Sequence, residues 1–145
     1  MSKFVYEELF QYGEDRTEYR ELPTEEIKIS KFKKEKFINI PKKSLEFLSK
    51  EAFYDISHFL RKDHLKQLSK IFDDPKASTN DKYVALTLLK NANVAAGGIL
   101  PMCQDTGTAI VLAEKGALVW TGYDDEKYIS KGIWKAFKES NLRYS

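Results

Sequence analysis

The stretch Ile99-Leu100-Pro101-Met102-Cys103-Gln104-Asp105-Thr106-Gly107-Thr108-Ala109 holds the only cysteine of the chain, followed at once by an amide, a carboxylate, a hydroxyl and a glycine. A soft metal ligand, a hydrogen-bonding carboxamide and a proton-exchanging carboxylate thus occupy consecutive positions. Pro101 restricts the backbone on the approach, and Gly107 permits positive φ on the exit. The apolar run Ala109-Ile110-Val111-Leu112-Ala113 comes next. A polar turn at the mouth of an apolar strand is a common way to hold side chains rigidly toward a ligand.

On residue type alone, Cys103 can also be read as a small buried hydrophobe. There is no Cys-x-x-Cys and no Cys/His cluster of the kind that binds zinc. His58 and His64 lie about 40 residues upstream in helix-like segments, so nothing local supports a Cys–His nucleophilic pair. Both read as ordinary, partly buried side chains beside apolar helix faces.

The elements that must position this stretch follow from periodicity. Residues 1–25 are charged and aromatic without a clear period; Tyr6, Phe10, Tyr12 and Tyr19 could pack across a partner surface. Ile27–Ser30 and Phe37–Ile40 alternate apolar with polar, which predicts a short antiparallel hairpin ended by Pro41. Ser44 reads as the N-cap of an amphipathic helix with Leu45, Leu48, Ala52, Ile56, Phe59 and Leu60 on one face. Asp63 opens a second helix that buries Leu65, Leu68, Ile71 and Phe72 and stops at Asp73-Asp74-Pro75. Thr79 or Asn80 caps a third, whose Tyr83, Val84, Leu86, Leu88 and Leu89 form a set wide enough to pack on more than one side. Asn91 onward, or Gly97-Gly98, ends it.

Beyond the cysteine stretch, Thr108–Ala113 and Ala117–Thr121 read as strands joined by Glu114-Lys115-Gly116 in a tight hairpin, the first apolar on both faces and therefore central. Asp124 or Asp125 caps a last helix with Tyr128, Ile129, Ile133, Trp134 and Phe137 as its core face. The expected fold class is α+β, about four helices against a small, largely antiparallel sheet. There is no internal repeat and no linker marking a second domain.

The 145 residues match one domain, 42% apolar and 32% charged, with 24 Lys+Arg against 22 Asp+Glu for a net charge of +2. That balance offers no bulk field for nucleic acid or anionic membrane, and the basic run Lys31–Lys36 reads as a solvated loop. A single cysteine forms no internal disulfide, which fits a reducing compartment. The N-terminus lacks a secretory h-region and the Arg/Ser-rich character of a transit peptide, and no apolar stretch approaches the ~20 residues of a membrane span. The expectation is a cytoplasmic protein that binds neither nucleic acid nor membrane.

The segment Leu100–Ala109 resembles the cluster-binding motif of class I (iron–sulfur) fumarate hydratases. Asn80-Asp-Lys-Tyr-Val-Ala-Leu86, Val119-Trp-Thr-Gly122 and Asn141-Leu-Arg-Tyr-Ser145 match the same family, in which Met102 stands where Thr is frequent. The resemblance is clear over 38–145 and weak over 1–37. Members are much longer chains, so it implies an N-terminal domain of α/β type whose sheet is completed by sequence absent here.

The family hydrates fumarate reversibly to (S)-malate on a [4Fe-4S] cluster held by three cysteines. By position, the resemblance implies that Cys103 is one of those three ligands. It implies that Gln104 and Asp105 line the substrate, with Asp105 an acid/base partner for the hydroxyl, and that Arg143 clamps a substrate carboxylate. On spacing alone, Arg143 would be a solvated charge in a C-terminal tail. Roles for Thr106 and Thr108 beyond shaping the loop stay open.

Two cluster cysteines and later arginine, lysine and threonine residues of the family are absent. One thiolate cannot hold a four-iron cluster, so the chain alone is expected to be inactive and without a stable cluster. The implied partners are a dicarboxylate substrate, the missing C-terminal portion and a second copy in a homodimer. The chain could be a domain of a longer protein, a split subunit or a proteolytic core. A tartrate or mesaconate hydro-lyase of the same family is the nearest alternative. A non-catalytic binding or scaffold module is the alternative of another class.

Overall fold

The alternation at residues 27–40 becomes a hairpin in the computed structural model, which describes residues 5–7, 18–24 and 27–143. Strands β1 (Lys28–Phe32) and β2 (Glu35–Asn39) pair antiparallel, with Lys28 opposite Asn39 and Phe32 opposite Glu35. The reversal falls on Lys33-Lys34, with Lys33 at φ 55°. Of the N-terminal aromatics, Phe10 and Tyr12 lie outside the described residues, and Tyr6 and Tyr19 are exposed.

The sheet's third strand, β3 (Val119–Trp120), lies beside β2 and runs parallel to it, with Ile38 opposite Val119 and Asn39 opposite Trp120. Ile38 N–H donates to the Leu118 carbonyl (2.9 Å) and Ile40 N–H to that of Trp120 (2.8 Å). The sheet is therefore mixed, not largely antiparallel. The expected hairpin across Glu114-Lys115-Gly116 does not form, because residues 108–113 take no regular structure and no place in the sheet. Ile110 is 78% and Leu112 95% exposed. A run that is apolar on both faces needs neighbours on both sides, and the described residues supply none.

Helix α1 (Lys42–His58) begins earlier than the expected Ser44 cap: Pro41 is the N-cap, at φ −60° and ψ 142°, and Ser44 is buried inside the first turn. Its principal partner is α4 (Asp125–Glu139), capped at Asp124 in the left-handed region (φ 71°). The two helices meet at Gly132, where a Cβ would lie 2.0 Å from Ser49 Oγ and 2.1 Å from the Glu46 carbonyl oxygen. Ser49 Oγ donates to the Ile129 carbonyl at 3.0 Å. The Glu46 carboxylate, nine-tenths buried, accepts from Lys131 (2.9 Å) and Lys135 (2.5 Å).

This seam turns α1 away from the apolar face read in the sequence. Its buried residues are Ser44, Glu46, Ser49 and His58, whereas Leu48, Ala52, Ile56 and Phe59 face outward. The buried line is displaced by one residue, about 100° around the axis. Close approach at a glycine decides the contact, and the larger apolar side chains would hold the helices apart.

Helix α2 (Lys62–Lys70) starts after Arg61, so Asp63 sits in its first turn and is not its cap; Leu65 and Leu68 are half-buried. Helix α3 (Thr79–Ala95) is capped by Ser78, ahead of the expected Thr79 or Asn80. Ser78 and Asp81 form a reciprocal capping box. It buries Ala85, Ala92 and Ala95 and leaves Tyr83, Val84, Leu86, Leu88 and Val94 exposed, so against the described residues it packs on one side only.

The small core, Ala136, Phe137 and Leu142, is joined by Phe53, Ala109 and Ile133. Trp134, expected in that core, is 51% exposed and lies under Lys138 Nζ, 5.0 Å from its ring centroid. It falls on the outer side of α4 because Ile133, Ala136 and Phe137 take the inner one. The architecture is α+β.

Candidate functional site

The cysteine stretch leaves the end of α3 through Gly98, at φ 75°. The Tyr54 hydroxyl crosses that glycine so closely that a Cβ there would lie 2.3 Å from it. Only glycine meets both conditions. Tyr54 stacks in turn on His58, ring centroids 4.3 Å apart, and His58 Nδ1–H donates to the Tyr54 carbonyl at 2.8 Å. His58 is fully buried, and its Nε2 has no hydrogen-bond partner among the described residues; His64 is exposed. The expectation of partial burial therefore fails in opposite directions for the two. His58 is a packing element beneath the loop and not a surface group.

Three elements then pin the loop's backbone. From α1, the Ser57 carbonyl accepts from Met102 N–H at 2.9 Å. From α3, Asn91 Nδ2 donates to the Met102 carbonyl at 2.7 Å. Met102 therefore has both backbone groups satisfied immediately before Cys103. From the tail after α4, Asn141 Nδ2 donates to the Ile99 carbonyl at 2.9 Å. Farther along, Thr106 Oγ1 accepts from Arg143 N–H (2.9 Å) and donates to the Arg143 carbonyl (2.5 Å). Gly107, at φ 64°, releases the chain into the apolar run.

Between these fixed points Cys103, Gln104 and Asp105 are exposed, and Cys103 is a free thiol. Arg143 is exposed too, with its backbone held against the loop by Thr106. The fold thus assembles the loop and the arginine from stretches about 40 residues apart. An exposed trio on an immobilised backbone presents a thiolate ligand, a carboxamide and a carboxylate to whatever lies above it.

Sequence reading did not find Asn91, Asn141 or the double bond of Thr106. Asn91 reads as a helix end. Asn141 does carry a signal, since Asn tolerates the left-handed region it occupies (φ 56°), but the carbonyl it reaches is set by tertiary structure.

The residues present fit one ligand position of a metal cluster: a solvent-facing thiol on a fixed backbone. They do not fit a complete donor set, because the described residues contain no group of three or more His, Cys, Asp or Glu side chains arranged to hold a metal ion. No helix among the described residues is long and apolar enough to cross a membrane.

Residues 47–145 match the protein family described as Fumarate hydratase (Fumerase). The anaerobic class I fumarate hydratase of Escherichia coli K12 is 46% identical over 142 residues, covering 98% of this chain and 26% of that protein. Fumarate hydratase 2 of Leishmania major is 57% identical over 108 residues, 74% of this chain and 19% of the relative. The aerobic class I fumarate hydratase of Salmonella typhimurium is 44% identical over 142 residues, again 98% of this chain and 24% of the relative. The chain spans about a quarter of the length of the relatives it matches from end to end. It belongs to the class I fumarate hydratase family.

Proposed function

We propose that the chain is the N-terminal portion of an iron–sulfur hydro-lyase that reversibly hydrates fumarate to (S)-malate. One observation supports this reading: the loop that carries Cys103-Gln104-Asp105 is pinned from α1, α3 and the segment after α4, and Thr106 of the same loop bonds the Arg143 backbone. The naming of its relatives as fumarate hydratases supports the substrate.

Adding water across a double bond beside a carboxylate requires proton exchange, stabilisation of developing charge and an activated hydroxyl. A [4Fe-4S] cluster, when bound, supplies a Lewis-acidic iron for the hydroxyl, and Cys103 would be one of its three thiolate ligands. Asp105 takes and returns the proton at the hydroxyl oxygen, because the Cys103 thiolate would be taken up as a cluster ligand and the Gln104 amide is no acid or base, which leaves the carboxylate. Arg143 grips a substrate carboxylate with its planar fork. Gln104 donates its amide N–H to the substrate and accepts no proton, so it orients and does not catalyse.

The site is completed by the remainder of a longer protein. The exposed apolar residues of α1 and α3 and the unpaired run 108–113 support a covering partner of that kind. The full protein is read as a cytoplasmic homodimer, and this portion by itself as inactive.

The test uses the full-length protein, purified without oxygen. Fumarate, tartrate and mesaconate turnover ranks the substrates, and fumarate is expected to lead. Asp105→Asn lowers turnover by ~10²–10⁴ with the cluster absorbance intact. Cys103→Ser loses cluster and activity together, because a hydroxyl is a poor replacement for a thiolate on iron. Near-normal turnover in Asp105→Asn removes it from the chemistry. Preference for tartrate or mesaconate changes the substrate within the same chemistry. No turnover of any of the three by a cluster-loaded protein turns the reading toward a binding module.

A further inference from the structure

We propose that Thr106 is a positioning residue that sets Arg143 against the cysteine loop, so that carboxylate affinity depends on a hydroxyl that need not touch substrate. The inference deepens the reading above and rests on Arg143 being the carboxylate clamp.

Arg143 lies outside any helix or strand and is exposed, so no ladder or helical turn fixes its position. Three features remove that freedom. Leu142 is buried with Ala136 and Phe137, which fixes the direction of the tail. Asn141, in the left-handed conformation (φ 56°), turns its amide onto the Ile99 carbonyl at the start of the loop. Thr106, at the far end of the loop, bonds both backbone groups of Arg143 through one oxygen. The loop is thereby bracketed at Ile99 and Thr106 by residues 141–143, with the cysteine between.

The double bond makes the hydroxyl act as a one-residue partner strand. It accepts where a strand's carbonyl would and donates where its N–H would. Fixing N–H and C=O together sets both the position and the orientation of the Arg143 peptide, and so the direction in which the guanidinium leaves the backbone. A β-branched residue suits the task, because its second γ substituent restricts χ1 and the hydroxyl does not swing away. Thr106 is half-buried, and neither oxygen bond is available to substrate without releasing Arg143.

The full-length, cluster-loaded enzyme decides the matter, with succinate, a dicarboxylate that cannot be hydrated, as the binding probe. Thr106→Val keeps the shape and removes both bonds. It is expected to raise the KM for fumarate and the calorimetric Kd for succinate about tenfold while kcat stays within about threefold. Cluster absorbance is expected to be unchanged, and Thr106→Ser restores both constants to near the parent values. Asn141→Asp, acting on the same tail from the other end, raises the succinate Kd about threefold.

Unchanged succinate affinity in Thr106→Val overturns the proposal, as does a Thr106→Ser variant no better than Val. If Thr106→Val loses the cluster and Asn141→Asp binds succinate normally, the hydroxyl holds the loop and not the arginine, and the proposal falls. Arg143→Lys separates the two levels. Unaltered succinate binding there removes the clamp and this inference with it. Weakened binding there, beside normal binding in Thr106→Val, removes this inference alone.

Discussion

Helices α1 and α3 are both 17 residues long and are buried for opposite reasons. α1 meets α4 along serine, a buried glutamate and the bare backbone of Gly132, and turns Leu48, Ile56 and Phe59 outward. α3 is the more apolar of the two, yet it covers only three alanines and leaves Tyr83, Val84, Leu86, Leu88 and Val94 in contact with solvent. Which face a helix buries is decided by how closely a partner can approach, and hydrophobicity is satisfied only where a partner exists. The seam of α1 is finished within this chain; the outer face of α3 is not.

The strongest way to break that contrast is to fill the seam. Gly132→Val puts a side chain where Ser49 Oγ and the Glu46 carbonyl already are. It should cost about 3 kcal/mol or more in a denaturant titration of the 145-residue chain, because the obstacle is largely backbone. A change under about 1 kcal/mol would mean that the helices are not in contact at this glycine.

Next in size is Glu46→Gln, which weakens the bonds to Lys131 and Lys135 and should cost about 1–3 kcal/mol at neutral pH. The two lysines hold the Glu46 carboxyl below its ordinary value of 4.5, chiefly through the Lys135 hydrogen bond and then that of Lys131. A depressed carboxylate contributes stability above its unfolded pKa and loses it as pH falls through the folded one. Acid titration of the parent should therefore show a loss beginning below about pH 4.5 that shrinks in Glu46→Gln. Equal acid profiles would place the dependence on other carboxylates.

Trp134→Ala is expected to cost less than about 1 kcal/mol, since the ring is half-exposed and mainly loses its contact with Lys138. A value near ~3 kcal/mol would restore Trp134 to the core.

Smallest is Leu88→Ala on α3, within about 0.5 kcal/mol in this chain. The same substitution in the full-length protein should cost about 2–4 kcal/mol once the face is covered. Equal, small effects in both settings would leave the outer face of α3 uncovered in the whole protein too.

How far the sequence alone could go is seen at particular residues. The hairpin at 28–39 was legible because alternation and a charged reversal are local properties. The core residues Ile133 and Phe137 on α4 were legible as well, being set by helical spacing. The orientation of α1 was not, because it depends on Gly132, a residue that within a helix reads only as a weakness. The strand expected at 108–113 has the right composition and no strand partner among the described residues, and pairing is a property of two segments. At the site, resemblance drew attention to Cys103, Gln104, Asp105 and Arg143. The hydrogen bonds from Asn91, Asn141 and Thr106 that hold their backbones depend on which carbonyl lies within reach, which spacing does not encode.

The parallel pairing of β2 with β3 has a consequence for the order of folding. Ile38 and Val119 can meet only after a loop of about 80 residues has closed. That loop contains α1, α2, α3 and the whole cysteine stretch, while β3 returns only two residues of ladder for it. Helices and the first hairpin form from near neighbours and are fast. The seating of β3 is therefore expected to come late, after α4, which follows it in the chain, has docked on α1. Formation of the α1–α4 seam is thus expected to precede the pairing of β3 with β2, and a substitution that slows the seam should delay that pairing.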